Sequence, residues 1–438
     1  MTAYRIWVLA ALVVTGLSAR DYDLQQLLDL AERNNQQIRL AQADLKTASA
    51  EKLAALARAL PTANVTGGYN RNFQEDVFFF EVTNPQTGQL ETQSFKASFT
   101  NQFQLNAVLS QTLFSFEVGY AIQAARYLNK LTGFTYEAVN QTVLTSVKTA
   151  FYQAILQQEV LRVAREAERS ARDNYDNTRI KFDNGAVSEF ELLQAESRWL
   201  NTQPVTIQEE ARYQAALNQL KSLVGLSADE EMTLDGSLER FPELPDRMAG
   251  SAARDNRPDF NALIWEEKLR EKNVGSQRSG FFPTLDASLR YSYSAASDEM
   301  KLERENDNII LGLSLNIPIF TGGTNIANVR RANAELDKVR ARIDQAELDI
   351  SVELSNLHLQ MTEARKRIDA TQKAVMTARR AFEIAETRAM NGLSTQLELK
   401  DSRLALDQAQ LSYYSAVFDY LASFFAWQLA TGQVTETF

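Results

Sequence analysis

The chain contains no cysteine and only one histidine among its 438 residues. The absence of cysteine excludes disulfides, thiolate metal sites and a lipid-modified cysteine anchor. The histidine, His358, lies in a helical pattern, so neither a Ser-His-Asp triad nor a multi-histidine metal site has the residues that it needs. Carboxylates are numerous, but no pair of them occurs in a pocket-like context. We expect a protein that is not an enzyme and holds no cofactor or metal.

Basic residues are outnumbered, and the formal net charge is -10. This acidic balance argues against a nucleic-acid partner, because proteins that bind nucleic acids carry basic stripes. Proline is also scarce, with none between Gly119 and Gln203 and none after Thr321. Both proline-free stretches are therefore open to long, uninterrupted helices.

Long apolar runs are missing, and the clearest short one extends from Ile6 to Val14 after Arg5. A basic residue, an apolar run of this length and the small residues Gly16 and Ser18 are typical of a secretory signal peptide. A transmembrane anchor is the alternative, but the run is too short to span a bilayer comfortably. Residues 1–19 are predicted to be a signal peptide.

The rest of the chain repeats itself. Asn34 matches Asn256 at an offset of 222 positions, whereas Asn184 matches Asn391 at an offset of 207. The first copy contains extra residues near its strands, whereas the stretch that follows has nearly the same length in both copies. Loops tolerate changes of length better than helices that must span a fixed distance, so the second stretch is predicted to be helical. We predict a first repeat at 20–226, a linker at 227–250, a second repeat at 251–432 and a tail at 433–438.

Each repeat contains two segments of alternating apolar and polar residues. They are predicted as strands at about 63–80, 94–113, 285–296 and 308–319. Strands of this length, apolar on one face and polar on the other, are typical of outer-membrane barrel walls. Half-buried strands of a soluble sandwich are the alternative. Since four strands cannot close a membrane barrel, several chains would have to share one.

A long helix follows each strand pair. Apolar or small residues recur at steps of three and four from Leu336 to Ala389, which is a coiled-coil seam. Long helices are predicted at about 117–183 and 325–390, with returning helices at about 188–224 and 395–430. A soluble antiparallel coiled coil has the same periodicity, but here each long helix directly follows a membrane-type strand.

Both long helices turn back at a marked hairpin. Asn184-Gly185 and Asn391-Gly392 supply the left-handed residue that ends a helix. The S/T-x-x-E capping box that starts a helix follows in both places; its residues are Ser188 and Glu191 in the first hairpin, and Thr395 and Glu398 in the second. The hairpin tips, 183–189 with Ala186 and 390–396 with Leu393, are candidate docking sites for another protein, although plain turns are the alternative.

The sequence resembles the outer-membrane efflux and secretion channels of the TolC-like family. The resemblance rests on the duplicated Pro-Thr before each first strand, on Pro-Ile-Phe-Thr-Gly-Gly at 318–323, and on the paired hairpins. It implies a mixed α and β membrane protein in which a homotrimer forms a shared twelve-stranded barrel and a periplasmic α-helical tunnel. It also implies an outer membrane of a Gram-negative-type cell, a periplasmic adaptor, and a proton-driven or ABC inner-membrane pump. The expected function is the exit duct of a tripartite efflux or type I secretion system.

In this family, acidic residues on the returning helix of the second repeat ring the periplasmic aperture, and the matching positions here are Glu398 and Asp401. For Glu398 the alternative to an aperture acid is a structural role, because the capping box explains a glutamate there. Asp401 has Gln194 as its counterpart in the first repeat, and the alternative for Asp401 is a solvated surface charge. Some members lock the tip with a tyrosine and an arginine, where this chain has Ala389 and Ser394. Arg388 or Arg403 are candidates to replace that lock.

Two other functional classes are compatible with parts of the pattern. A trimeric coiled-coil surface or structural protein would also combine helices with strands, but would keep its strands at one terminus. A secreted enzyme is disfavoured by the residue inventory. No aromatic box or ligand cluster indicates a cargo.

Overall fold

The computed structural model describes residues 20–434 apart from residues 75, 87 and 392. The expected signal peptide, Gly392 and residues 435–438 of the expected tail lie outside the described residues. The chain forms two compact units. The helical unit comprises residues up to 44, 133–262 and from 343 on, and the sheet unit comprises 45–132 and 263–342. Each unit therefore draws on both halves of the sequence.

The two halves of the chain have the same order of helices and strands, apart from two extra strands, the third and fourth of the chain, in the first half. The first half contains β1 (Arg20–Tyr22), α1 (Leu24–Asn34), α2 (Gln36–Ala57), β2 (Thr62–Arg71), β3 (Val77–Thr83), β4 (Leu90–Lys96), β5 (Asn101–Phe114), α3 (Phe116–Asp183) and α4 (Glu189–Val224). The second half contains β6 (Met232–Leu234), α5 (Gly250–Asn256), α6 (Pro258–Ser279), β7 (Thr284–Ser297), β8 (Asn306–Asn316), α7 (Thr324–Met390) and α8 (Gln396–Ala430).

Four long strands form one antiparallel sheet in the order β2-β5-β7-β8. The register aligns apolar residues across all four strands, for example Ala63, Leu109, Leu289 and Leu311. This apolar face is not covered: Leu311 and Leu313 are 73% and 69% exposed. The soluble-sandwich alternative is wrong, since a sandwich would bury these side chains.

The opposite face of the same sheet is polar. One row joins Thr66, Asn106, Ser292 and Asn308, and another joins Thr62 to Ser110, Ser288 and Gly312. The row between them is mixed, with Asn64 and Arg290 beside Val108 and Ile310. The period of two therefore separates an apolar from a polar side, as the alternation in the sequence predicts.

The strand bounds expected in the first repeat need correction. The strand expected at 63–80 ends at Arg71, and the one expected at 94–113 begins at Asn101. Side chains interrupt the ladder here: the Asn72 amide donates to the Phe99 carbonyl (3.0 Å), and the Ser98 hydroxyl accepts from the Asp76 N–H (2.9 Å). Such bonds compete with regular strand pairing. In the second repeat, β8 ends at Asn316 rather than 319, before Pro318, which has no N–H to donate.

The residues released from those two strands form a separate hairpin. Among the described strands, β3 pairs only with β4, antiparallel, with Phe78 opposite Phe95. This hairpin contains the extra length of the first repeat.

The long helices contain 68 residues in α3 and 67 in α7. Within the helical unit, the predicted seam of α7 includes buried residues at Ile350, Leu354, Met361, Ala364, Ile368 and Phe382. The core of this unit also contains Phe151, Tyr420 and Phe425. Among the described residues, no helix combines the length and the apolarity needed to cross a membrane.

A glycine closes the returning helix in each half and packs on the same element. Gly225 (φ +74°) lies against Asn34, and Gly432 (φ +66°) lies against Asn256. Asn34 and Asn256 are the two residues that the sequence comparison aligns, so the duplication extends to tertiary packing.

The segment at 227–250, expected as a linker outside the helices, is anchored to them. Its strand β6 pairs in parallel with β1, Leu238 is buried, and the Tyr420 hydroxyl donates to the Pro242 carbonyl at 2.9 Å. Neither short strand has a periodic signal in the sequence, because three residues are too few to show one.

Candidate functional site

The first hairpin ends α3 with a left-handed glycine. Gly185 has φ +69°, and the Ala186 N–H donates to the Lys181 carbonyl at 2.8 Å, which is the bond that closes a Schellman-type helix end. The Asn184 amide donates back to the Ile180 carbonyl at 2.7 Å. Ser188 then caps α4, accepting from the Glu191 N–H. Among the described residues of this hairpin, the reciprocal bond from the Ser188 N–H to the Glu191 side chain is not formed.

The second hairpin repeats this arrangement 207 positions later. The Leu393 N–H donates to the Arg388 carbonyl at 2.8 Å, and the Asn391 amide donates to the Thr387 carbonyl at 2.8 Å. Arg388 also donates to the Leu393 carbonyl through its guanidinium (3.1 Å). This arginine, a candidate to lock the tip, therefore braces its own turn in a single chain.

The capping box predicted at Thr395 is complete. Its hydroxyl accepts from the Glu398 N–H (3.2 Å), and its own N–H donates to Glu398 Oε2 (3.3 Å). The Ser394 hydroxyl donates to the same carboxylate at 2.6 Å. The hydrogen bond from Ser394, followed by that from the Thr395 N–H, lowers the pKa of Glu398. Glu398 is thus engaged in holding the start of α8.

Asp401 lies one helical turn beyond Glu398 and is exposed. Its negative charge acts on Arg198 of α4. Burial lowers the pKa of Arg198, and the nearby charges of Asp407 and Asp401 raise it in opposition. The structure thus separates the two candidate acids: Glu398 is a cap, while Asp401 faces a neighbouring helix that carries a cation.

One turn further along α8 lies a charged cluster, formed by Arg403 and Asp407 on α8 with Glu166 on α3. From the sequence, Arg403 is a candidate for the lock, but these two partners are not predicted. Arg403 Nε lies 2.8 Å from Asp407 Oδ1, but the geometry makes no hydrogen bond, so the contact is an ion pair. Arg403 Nη2 lies 3.8 Å from Glu166 Oε2. Burial raises the pKa of Asp407, opposed by Arg403 and assisted by Glu166. The sequence signal for this cluster was the spacing of Arg403, which lies four residues after Leu399 and three before Leu406 and so falls on the apolar side of α8.

Polar contacts join the two hairpins side by side in the helical unit. The Asn174 amide donates to Gln396 Oε1 (2.8 Å), and Lys181 Nζ donates to the Ala389 carbonyl (3.5 Å). A cavity of about 470 Å³ lies between α3, α7 and α8 at this end, with Phe382 in its wall. The predicted site residues on both hairpins are therefore brought together at one end of the unit.

A family model described as outer membrane efflux protein matches residues 27–226 and 249–433. These two segments cover both halves of the chain and leave out only the stretch between them and the ends. The chain belongs to the outer membrane efflux protein family. The resemblance predicted from the hairpins and strand motifs is confirmed.

Individual relatives agree with this assignment. The alkaline protease secretion protein AprF of Pseudomonas aeruginosa is 25% identical over 335 residues, which is 75% of this chain and 69% of the relative. The outer membrane protein TolC of Vibrio cholerae is 19% identical over 437 residues, which is 98% of this chain and 95% of the relative.

Solved structures share the fold. The outer membrane channel CmeC of Campylobacter jejuni superposes with a TM-score of 0.79 at 20% identity, covering 94% of this chain and 85% of that one. The outer membrane protein VceC of Vibrio cholerae gives a TM-score of 0.72 at 18% identity, covering 93% and 96%. The mixed α and β fold class is thereby confirmed.

The protein is therefore an outer-membrane efflux or secretion channel of a Gram-negative-type cell. This confirms the localisation and the general function expected from the sequence.

Proposed function

We propose that this protein is the exit duct of a tripartite efflux or type I secretion system, assembled as a homotrimer with a shared twelve-stranded barrel. One observation carries the proposal: in the sheet unit, a four-stranded sheet exposes a continuous apolar face. Within the part of the chain that the structure describes, the outer strands of this sheet, β2 and β8, each pair on one side only. A sheet with open edges is not stable in lipid, because unpaired backbone groups there cost several kcal/mol each.

Copies of the chain satisfy these edges by pairing β8 of one copy with β2 of the next. The two strands run in opposite directions within one chain, so a neighbour's β8 continues the antiparallel pattern. The polar face, with its rows of serine and asparagine, then lines water, and the apolar face meets outer-membrane lipid. The number three comes from the family resemblance.

The helical unit supplies the periplasmic tunnel in this proposal. The two repeats, 20–226 and 251–432, each contribute to both the helical and the sheet unit, and 227–250 joins them. The hairpin tips dock the periplasmic adaptor, which connects to the inner-membrane pump. Two observations support docking at the tips: Ala186 is exposed, and Leu393 and Phe190 present large apolar side chains to solvent. Exposed apolar groups at a protruding turn are typical of protein-binding surfaces.

Asp401 is the acid proposed for the periplasmic aperture, with Glu398 as a structural cap beside it. Glu398 is bound by Ser394 and Thr395, which leaves Asp401 as the carboxylate open to solvent. Three copies of it brought close together would attract cations. The channel passes its cargo without chemical change, so no catalytic residue, cofactor or metal is assigned.

Planar bilayer recording tests the duct. We expect discrete conductance steps from the purified protein, and Asp401→Asn is expected to weaken block by multivalent cations. Gln194→Asn, at the equivalent position of the first repeat, is the matched control and should leave block unchanged. A protein that inserts no conductance would favour the coiled-coil surface protein instead.

Cysteine crosslinking tests the docking surface, because the chain has no native cysteine. Ala186→Cys and Leu393→Cys should each give a product with a co-expressed adaptor. Leu348→Cys is the control, since Leu348 is exposed to nearly the same extent as Leu393 but lies on α7 away from the tips. Equal labelling at all three positions would contradict docking at the tips.

A further inference from the structure

The β3–β4 hairpin exposes a cluster of phenylalanines. Phe78, Phe79 and Phe80 are consecutive in β3, with Phe79 72% exposed, and Phe95 of β4 is 63% exposed. Phe78, Phe80 and Phe95 lie on one face of the hairpin, and Phe79 lies on the other. Both faces of the two-stranded hairpin therefore expose phenylalanine side chains in the single chain.

Such a hairpin is not self-sufficient. An isolated two-stranded hairpin is at best marginally stable in water, and four phenylalanines of this exposure present about 400 Å² of apolar surface. A patch of that size on a small protrusion indicates a partner. The hairpin has no counterpart in the second repeat, where β7 and β8 are joined directly.

The chain's own contacts to the hairpin fall on β4 and the residues that follow it. Lys96 Nζ lies 2.9 Å from Asp298 Oδ1, and the Thr100 N–H donates to the same carboxylate at 3.2 Å. Asp298 follows β7, and β7 pairs with β5 on the side opposite to β2. In the hairpin, β4 leads into β5, while β3 follows β2, which is the outer strand of the sheet. The strand with the three consecutive phenylalanines therefore lies on the side of the open sheet edge.

That edge is where a second copy would lie. If β8 of a neighbour pairs antiparallel with β2, the start of that β8 at Asn306 is beside the end of β2 at Arg71. The segment before Asn306, residues 298–305, then adjoins β3. It carries two apolar side chains that its own chain leaves uncovered, Met300 (70% exposed) and Leu302 (55% exposed).

Charge disfavours a lipid surface as the occupant. The hairpin carries Glu81 and Glu91, its one lysine is paired with Asp298, and Asp76 precedes it. An acidic element would be repelled by the anionic surface of a membrane. The 298–305 segment also carries four carboxylates, but it places the cations of Lys301 and Arg304 among them. Its Met300 and Leu302 side chains can cover apolar surface.

We propose that β3 of one copy packs against the 298–305 segment of the next copy, with the phenylalanines covering the partner's Met300 and the partner's Leu302. This rests on the proposed oligomeric channel and adds to it a second interface, made by the hairpin beyond the end of the barrel strands. The first repeat thus carries an added clasp between subunits.

Mixed oligomers test the clasp. Chains with Phe78→Cys or Phe79→Cys under one affinity tag are co-expressed with Leu302→Cys chains under another, and a short bismaleimide is added. A product carrying both tags can form only between copies, and we expect it from one or both phenylalanine positions. Thr92→Cys, at a position that is also exposed but lies on β4, should give much less.

Each other result has a defined meaning. Conductance steps with no dual-tag product above the Thr92→Cys level would overturn the clasp and leave the duct proposal standing. Monomers without conductance would overturn both. Phe79→Trp fluorescence quenched by brominated lipid would place the hairpin in a membrane and likewise overturn the clasp. Replacing Phe78, Phe79 and Phe80 by serine should lower the temperature at which the oligomer dissociates, with unit conductance unchanged.

Discussion

The packing of Gly225 on Asn34 allows a prediction whose size follows from the structure. A Cβ at Gly225 would lie 2.8 Å from Asn34 Cβ and 2.9 Å from the Asn34 carbonyl oxygen. Contacts this short with backbone do not occur, so either α1 or the end of α4 must move. The φ of +74° adds the cost of placing alanine in the left-handed region.

Two terms set the magnitude for Gly225→Ala. The left-handed conformation costs about 1–2 kcal/mol for a residue with a Cβ, and overpacking against a fixed neighbour costs about 1–3 kcal/mol. The variant should therefore lose about 2–5 kcal/mol of local stability. Gly185→Ala is the matched control, because Gly185 has φ +69° with open space around its Cβ position, so only the first term applies.

Hydrogen exchange resolves the two effects in space. Since about 1.4 kcal/mol corresponds to a tenfold change in an opening equilibrium, Gly225→Ala should accelerate exchange at least about tenfold in peptides covering 27–38 and 217–226. Gly185→Ala should leave those peptides unchanged and affect only the hairpin at 180–190. Equal exchange of peptides 27–38 in both variants would refute the steric argument.

Two further predictions concern the hairpin end of the helical unit, and a third concerns the sheet. Asp407→Asn should make stability less dependent on pH. Burial raises the pKa of Asp407, so the wild type is expected to lose stability as pH rises from about 4 through the raised value. Thermal unfolding measured as a function of pH checks this. Thr395→Ala should destabilise the second hairpin by about 0.5–2 kcal/mol, and Ser188→Ala the first by less, because of these two hairpin caps Thr395 has the complete capping box. Hydrogen exchange at both tips checks this. Arg290→Gln should increase cation selectivity in bilayer recordings, since Arg290 is a cation on the polar face of the sheet; an unchanged reversal potential would place it away from the water-filled side.

Much of the fold could be predicted because periodicity and caps are local. The seam residues Ile350 and Leu354 and the cap at Thr395 are specified by neighbours three or four positions away. The alternation around Leu311 similarly specifies which face of a strand is apolar. At these positions the residues that determine the structure are close together in the sequence, so the local pattern is enough to predict it.

The strand bounds of the first repeat could not be predicted in the same way. Alternation continues from Phe95 into β5, yet the ladder breaks where Ser98 accepts from the Asp76 N–H. That bond joins residues 22 positions apart, and no periodic pattern records it. The same holds for the cluster around Arg403, where the seam position is visible in the sequence but Glu166 on another helix is not.

The two hairpins show how a duplicated fold can acquire different surfaces. Both keep the asparagine amide bond, the helix-closing bond and the hydroxyl cap, which fix the backbone. The side chains beyond the cap diverge: Gln194 and Leu200 in α4 stand where α8 has Asp401 and Asp407. A buried pair such as Arg403 and Asp407 is rarely required for stability, because apolar residues of similar volume often stabilise as well or better. Removing one partner alone leaves an uncompensated charge in a largely buried place and should destabilise the fold by about 3–5 kcal/mol. Replacing both Arg403 and Asp407 by apolar residues should cost little stability, so a change of conductance in that double variant would assign the pair a role in the channel.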